Sequence, residues 1–121
     1  MLTEEERVTP NSYEIVLGGS QNQQSWISRN LQHLVTAATN QILSQEEFRP
    51  FWITWEGGNI QVGTGRVQTG ESRFMQWREP GGSFGANVRY VGFATSDGAE
   101  GEFRLWRKEG KFASEMVFQV R

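Results

Sequence analysis

The sequence predicts an all-β protein, a single-domain antiparallel β-sandwich of the jelly-roll or galectin-like kind. Short apolar runs with two-residue alternation recur along its 121 residues, and Gly-containing turn signals separate them. That combination is typical of a sandwich or barrel. A chain of this length is expected to form one domain and to bury roughly two-thirds of its unfolded surface. Eight Phe and five Trp supply large apolar side chains for the core.

The first predicted strand is SYEIVLGG, residues 12–19, which places Tyr13, Ile15 and Leu17 on one face. Its closing Gly18-Gly19 pair could begin a dinucleotide-binding loop. That fold needs a third glycine, a helix and another parallel strand, and none of these patterns follows. We therefore predict a hairpin turn here. We expect residues 1–10 to form an N-terminal arm and residues 11–121 to form the sandwich domain.

Residues 30–43, NLQHLVTAATNQIL, allow two interpretations. Apolar residues recur there at helical spacing, whereas the β-branched Val35, Thr36 and Thr39 favour a strand. We expect a strand because the flanking segments have β patterns, and a helix stays open as the alternative.

The later strands follow in order. Residues 48–65 predict two strands around the turn 56–59, and residues 73–82 predict a strand that ends at Pro80. Residues 88–95 are apolar on both faces, as in a central strand, and residues 101–110 and 112–120 complete the set. The predicted core residues are Phe51, Trp55, Ile60, Val62, Phe74, Tyr90, Phe93, Phe103 and Leu105.

Charge and hydropathy argue against several classes of partner. The 12 basic and 14 acidic residues give a net charge of −2. The chain therefore lacks the excess of positive charge that proteins use to bind nucleic acid or an anionic membrane. No apolar run approaches the ~18–20 residues of a membrane span. The opening MLTEEERVTP has no apolar region typical of a signal peptide. We expect neither nucleic-acid binding nor membrane insertion.

Catalytic and metal-binding residue types are scarce. His33 is the single histidine, Asp97 is the single aspartate, and there is no cysteine. A Ser-His-Asp set, a thiolate zinc site and an Asp-rich calcium site therefore all lack their usual components. We expect His33 to be a partly buried strand residue. Glutamates could act in pairs in glycoside hydrolysis, but nothing in the sequence pairs them. We expect no enzymatic activity, no metal and no cofactor.

Aromatic and polar residues instead indicate a sugar site. Aromatic faces that pack on apolar C–H groups, with polar side chains on hydroxyls, are what a sugar site needs. The alternative is that the tryptophans fill the core and the arginines pair with glutamates. The predicted ligand-binding residues are Trp77, Arg78, Glu79, Arg89, Arg29, Gln76 and Asn22.

Four stretches resemble a known module: YEIVLGG with the following SWISR, ILSQEEFRPFWITWEGGNIQVGTG, FMQWREP, and VRYVGFATSDGAEGEFRLW. From about Tyr13 to Trp106 they look like the farnesoic acid O-methyltransferase domain. The resemblance implies a small sandwich module of invertebrate proteins, often joined to extracellular or toxin-like domains. Related modules have been viewed as carbohydrate-recognising. The family often has Trp-x-Asp-Pro where this chain has Trp77-Arg78-Glu79-Pro80, so ligand specificity at that corner could differ.

The expected function is therefore that of a lectin, binding galactose-type glycans of glycoproteins or glycolipids without catalysis. A shallow sugar site binds weakly, so we expect a homo-oligomer, a dimer or tetramer, joined through an edge strand. Residues 114–121 are one candidate edge. The resemblance implies an extracellular protein, with a cytoplasmic one left open. The alternatives are a non-enzymatic interaction module with Trp and Arg anchors, and, remotely, the methyltransferase that the family name promises.

Overall fold

The computed structural model describes residues 2–3, 12–66, 69–80, 90–91, 103–106 and 115–120. These residues form ten strands: β1 Leu2–Thr3, β2 Tyr13–Gly18, β3 Gln24–Arg29, β4 Gln32–Ala38, β5 Arg49–Thr54, β6 Asn59–Thr64, β7 Arg73–Arg78, β8 Tyr90–Val91, β9 Phe103–Trp106 and β10 Glu115–Val120.

The strands form two sheets, and every described strand pair is antiparallel. Sheet A has the order β4-β3-β2-β1-β8, and sheet B has the order β7-β6-β5-β10-β9. The prediction of an antiparallel β-sandwich is confirmed. No helix in the described residues is long and apolar enough to cross a bilayer.

The core lies between the sheets and is built by the alternate, inward-facing residues of each strand. Sheet A contributes Tyr13 and Ile27, both almost fully buried, with Ile15 and Leu17 packed against them. Sheet B contributes most of the remaining volume. Its buried members are Phe51, Ile53, Trp55, Ile60, Val62, Met75, Met116, Phe118 and Val120.

The core prediction is confirmed where side chains are described. Phe51, Trp55, Ile60 and Val62 are buried, and Phe74 is partly buried against the core. Phe93 lies outside the described residues, and for Tyr90, Phe103 and Leu105 only the backbone is described.

A tight turn joins β2 to β3, as the hairpin interpretation predicted. A helical turn over Gly19–Asn22 follows Gly18, whose φ is 71°. Ser20, Gln21 and Asn22 also have positive φ, at 51°, 61° and 66°. Left-handed backbone is unfavourable for residues with a Cβ, so this turn is held by its surroundings.

Residues 30–43 contain the strand β4, so the strand interpretation is confirmed for Gln32–Ala38. Asn30 and Leu31 connect β3 to β4 with φ of 52° and 63°. Leu31 is 98% exposed at this tip. Ile27 pairs with Val35 and Ser28 pairs with His33, which leaves one extra residue in β4 and forms a β-bulge.

The outer face of sheet B contains a buried tryptophan. Trp52 alternates away from the core yet is only 2% exposed, and its Nε1 donates a hydrogen bond to Ser72 Oγ at 3.0 Å. A Cβ on its neighbour Gly63 would lie 2.2 Å from Trp52 Cε2. Glycine is therefore required beneath the indole.

Two predictions about the position of a strand in its sheet need correction. The 114–121 edge prediction is wrong, because β10 lies between β5 and β9. Pairing order depends on distant contacts that the local pattern does not carry. The described part of 88–95 is β8, which ends the described order of sheet A rather than occupying its centre. Leu2–Thr3, within the predicted arm, pairs with β2 and β8.

Candidate functional site

Three predicted site residues, Arg29, Trp77 and Glu79, come together with Tyr13 at one end of the sandwich. Tyr13 begins β2 and pairs with Arg29 at the end of β3, while Glu79 follows β7 in the other sheet. Arg29 Nη1 donates to Glu79 Oε1 at 2.8 Å, and Tyr13 OH donates to the same oxygen at 3.1 Å. The Arg29 guanidinium also lies 4.8 Å from the Tyr13 ring centroid. We call these four residues the inter-sheet clamp.

The clamp is mostly removed from solvent. The Arg29 and Glu79 side chains are 34% and 14% exposed, and Tyr13 is 1% exposed. Burial raises the pKa of Tyr13 above 10.0; the Trp77 indole and Arg29 oppose the rise, and Glu79 adds to it. Trp77 Nε1 is buried without a hydrogen-bond acceptor among the described residues. Its N–H lies near the Tyr13 hydroxyl and lowers the pKa of that group. Because Tyr13 and Arg29 of sheet A both donate to the Glu79 carboxylate, which follows β7 of sheet B, these hydrogen bonds connect the two sheets.

The other predicted site residues do not join the clamp. Gln76 and Arg78 are exposed on the outer face of β7, where Gln76 Nε2 donates to Asn59 Oδ1 at 2.9 Å. Asn22 fixes the loop that follows β4: its Nδ2 donates to Leu43 O at 2.8 Å, and its Oδ1 accepts from Leu43 N at 3.0 Å. Arg89 lies outside the described residues.

The outer face of sheet A carries a second group of residues, centred on Trp26 and His33. Their rings stack with centroids 4.6 Å apart and planes 19° apart. His33 is exposed, so the expectation that it is partly buried is wrong. The bulge in β4 shifts its side chain to the outer face beside β3. We call Trp26 and His33 the aromatic platform.

Strand register surrounds the platform with polar side chains. Glu14, Ser28 and His33 form one cross-strand row, and Val16, Trp26 and Thr36 form the next. Glu14 and Thr36 are exposed at opposite sides of the platform. Two strand spacings and two residues along a strand give a patch of about 10 Å by 7 Å. Such a patch has room for one or two pyranose rings.

Gly19 makes room for the platform. A Cβ at this position would lie 2.2 Å from both Cη2 and Cζ3 of Trp26. The glycine thus lets the indole lie against the end of β2. Trp26 is not among the ligand-binding residues that the sequence predicted. Its position beside His33 depends on the β3–β4 register and on the bulge in β4, which the local sequence pattern does not record.

The row Glu14–Ser28–His33 has the residue types of a hydrolytic triad in the wrong order. A triad places histidine between the nucleophile and the acid, whereas here Ser28 lies in the middle and is only 6% exposed. No hydrogen bond links these three side chains among the described residues. The described residues also contain no group of three or more potential metal ligands.

Comparison with known proteins agrees with the sequence resemblance. A family model described as farnesoic acid O-methyl transferase matches residues 1–109. No curated protein and no solved structure matches the chain. Since the family model covers most of the sequence, the chain belongs to the farnesoic acid O-methyltransferase domain family.

Proposed function

We propose that this protein is a lectin that binds a neutral, galactose-type glycan on the outer face of sheet A, without catalysis. The observation that carries the proposal is the aromatic platform, the stacked Trp26 and His33 side chains. Aromatic surface at a shallow, polar-edged patch suits the apolar face of a pyranose ring. In galactose the axial 4-hydroxyl leaves several C–H groups on one face, which favours such packing.

The polar residues around the platform suit sugar hydroxyls. Glu14 is a strong acceptor, Thr36 is both donor and acceptor, and His33 has ring nitrogens at the same surface. No side chain on β2, β3 or β4 that the register turns outward is Lys or Arg, because Arg29 faces inward to the clamp. With Glu14 as the charged group of the patch, a sialylated or sulfated sugar would be repelled.

A glycan array with the labelled protein, with and without a chelator, tests the proposal. We expect hits that share a terminal galactose and persist in chelator. Calorimetry with lactose should then give a Kd in roughly the micromolar-to-millimolar range. A well-folded protein without hits would refute lectin activity and favour the interaction module.

Substitutions can distinguish a sugar site at the aromatic platform from one at the β7 residues that the sequence predicted. His33→Ala and Glu14→Gln change exposed side chains and should each weaken lactose binding by about tenfold. Gln76→Ala and Arg78→Ala, on the outer face of the other sheet, are matched controls and should leave binding unchanged. The reverse pattern would place the sugar at β7 and contradict our location of the site.

The methyl transfer in the family name has its own test. A methyl donor enzyme normally has a larger α/β fold with a glycine-rich loop, and the described strands are all antiparallel. We therefore propose that this domain does not transfer methyl groups. Calorimetry with S-adenosylmethionine should show no saturable binding, and saturable heat would overturn this part of the proposal.

A further inference from the structure

The strand β4 ends the order of sheet A, and the described residues pair with it on one side only, through β3. The other side of this seven-residue strand, Gln32–Ala38, pairs with no described strand, and β7 of sheet B lies near it. An exposed strand edge is a template for pairing with another chain unless charge, proline, a β-bulge or short length prevents it. The bulge of β4 lies near its start and leaves Val35–Ala38 in regular register with β3.

Charge does not protect this edge. The segment from Asn30 to Gln45 has no Asp, Glu, Lys or Arg in sixteen residues, although such residues make up 21% of the chain. By contrast β7, which ends the described order of sheet B, carries exposed Arg73 and Arg78. The β4 and β7 edges thus differ in charge, one of the features that prevent edge-to-edge association.

We propose that a second copy of this chain pairs antiparallel with β4 and makes a symmetric dimer with a continuous sheet A. The bulge leaves Val35–Ala38 as the regular part of β4, so we place the two-fold axis at Thr36. Thr36 then faces Thr36 of the partner subunit on the outer surface, a favourable cross-strand pair. A two-fold interface of this kind is self-complementary.

The same pairing gives Leu31 a contact. This side chain is 98% exposed and its backbone is left-handed, where Asn or Gly is usual in a two-residue hairpin. Antiparallel pairing about Thr36 carries Leu31 alongside residues 40–43 of the partner subunit. That loop contains Ile42 and Leu43, which are incompletely buried in the single chain. Apolar contact there would offset the unfavourable placement of Leu31.

The dimer would also join the two platforms, and this consequence rests on the proposed lectin function. Trp26 lies one strand from Thr36, so three strand spacings, about 15 Å, would separate the two Trp26 side chains. Both would face the same side, and two sites on one rigid surface can bind a branched or clustered glycan with higher avidity.

Cysteine cross-linking tests the dimer without any sugar. The chain has no cysteine, so Thr36→Cys introduces a single thiol, at the proposed axis. Directly opposed residues have Cα atoms about 4.5–5.5 Å apart, within reach of a disulfide. Ala38→Cys is the matched control, since two copies of residue 38 would lie about 14 Å apart along the strands. We expect rapid oxidative cross-linking of the first variant and slow cross-linking of the second.

Sedimentation of the cysteine-free protein completes the test. We expect a concentration-dependent dimer whose Kd rises about tenfold or more in Leu31→Asn, a substitution that tolerates the left-handed backbone. A monomer at millimolar concentration would overturn the proposal. So would a dimer in which the two cysteine variants cross-link at the same rate. Neither result depends on glycan binding, so the lectin and dimer proposals can fail separately.

Discussion

Replacing Gly63 with Ala should destabilise the protein strongly, because the indole of Trp52 occupies the space of the new methyl group. The added Cβ would meet Trp52 Cε2, Cζ2 and Nε1 at 2.2, 2.3 and 2.4 Å. Since Trp52 is 2% exposed, it must move within a packed environment. Overpacking costs about 1–3 kcal/mol, and disrupting the Nε1 hydrogen bond to Ser72 adds about 1 kcal/mol. We expect a total loss of about 2–4 kcal/mol.

Urea unfolding followed by far-UV circular dichroism measures this loss, and the corresponding fall in Tm is about 8–16 °C. Gly70→Ala is the matched control, because a Cβ there meets nothing within 4 Å. Trp52→Leu supplies a second background, in which Gly63→Ala should cost much less. The reasoning would be refuted by a Gly63→Ala variant within about 0.5 kcal/mol of the parent protein that still buries Trp52.

Three further predictions concern the turn and the clamp. Gln21→Gly should raise the free energy of unfolding by about 1 kcal/mol, whereas Gln21→Ala should not, since only glycine relieves the left-handed backbone; urea melts of both variants decide this. Because burial raises the pKa of Tyr13 in the folded protein, its titration makes a contribution to stability that depends on pH. This contribution is fully present below the unfolded pKa of 10.0 and is lost as pH rises through the folded pKa. Unfolding measured across this range should show a shallower alkaline decline for Tyr13→Phe, and an unchanged decline would contradict the assignment. Glu79→Gln should cost about 1–2 kcal/mol by leaving Arg29 without its carboxylate. A double-mutant cycle with Arg29→Met should recover a coupling of about 1 kcal/mol, and additive effects would show that the pair contributes nothing.

The sequence predicted the inward face of most strands because two-residue alternation is a local signal. Phe51, Ile60 and Val62 were identified as core on that basis, and they are buried. Strand order was not accessible in the same way. The position of β10 between β5 and β9 depends on pairing between residues far apart in the chain.

Prediction of the site was limited by the same physics. Arg29 and Glu79 were both named, but their contact spans 50 residues and no spacing pattern records it. The aromatic platform depends on one extra residue in β4, which changes the face on which His33 lies. A bulge has no reliable local sequence signature, so a correct strand prediction still gave the wrong exposure for His33.

The outer face of sheet A has a consequence for how this domain can change over evolution. Exposed residues such as Glu14, His33 and Thr36 contribute little to the core, so most substitutions there should shift stability by less than about 0.5 kcal/mol. Trp26 is the exception, because Gly19 is fitted to its ring. Related domains could therefore keep one fold and one indole while diversifying the surrounding side chains, and so acquire different ligands without losing stability.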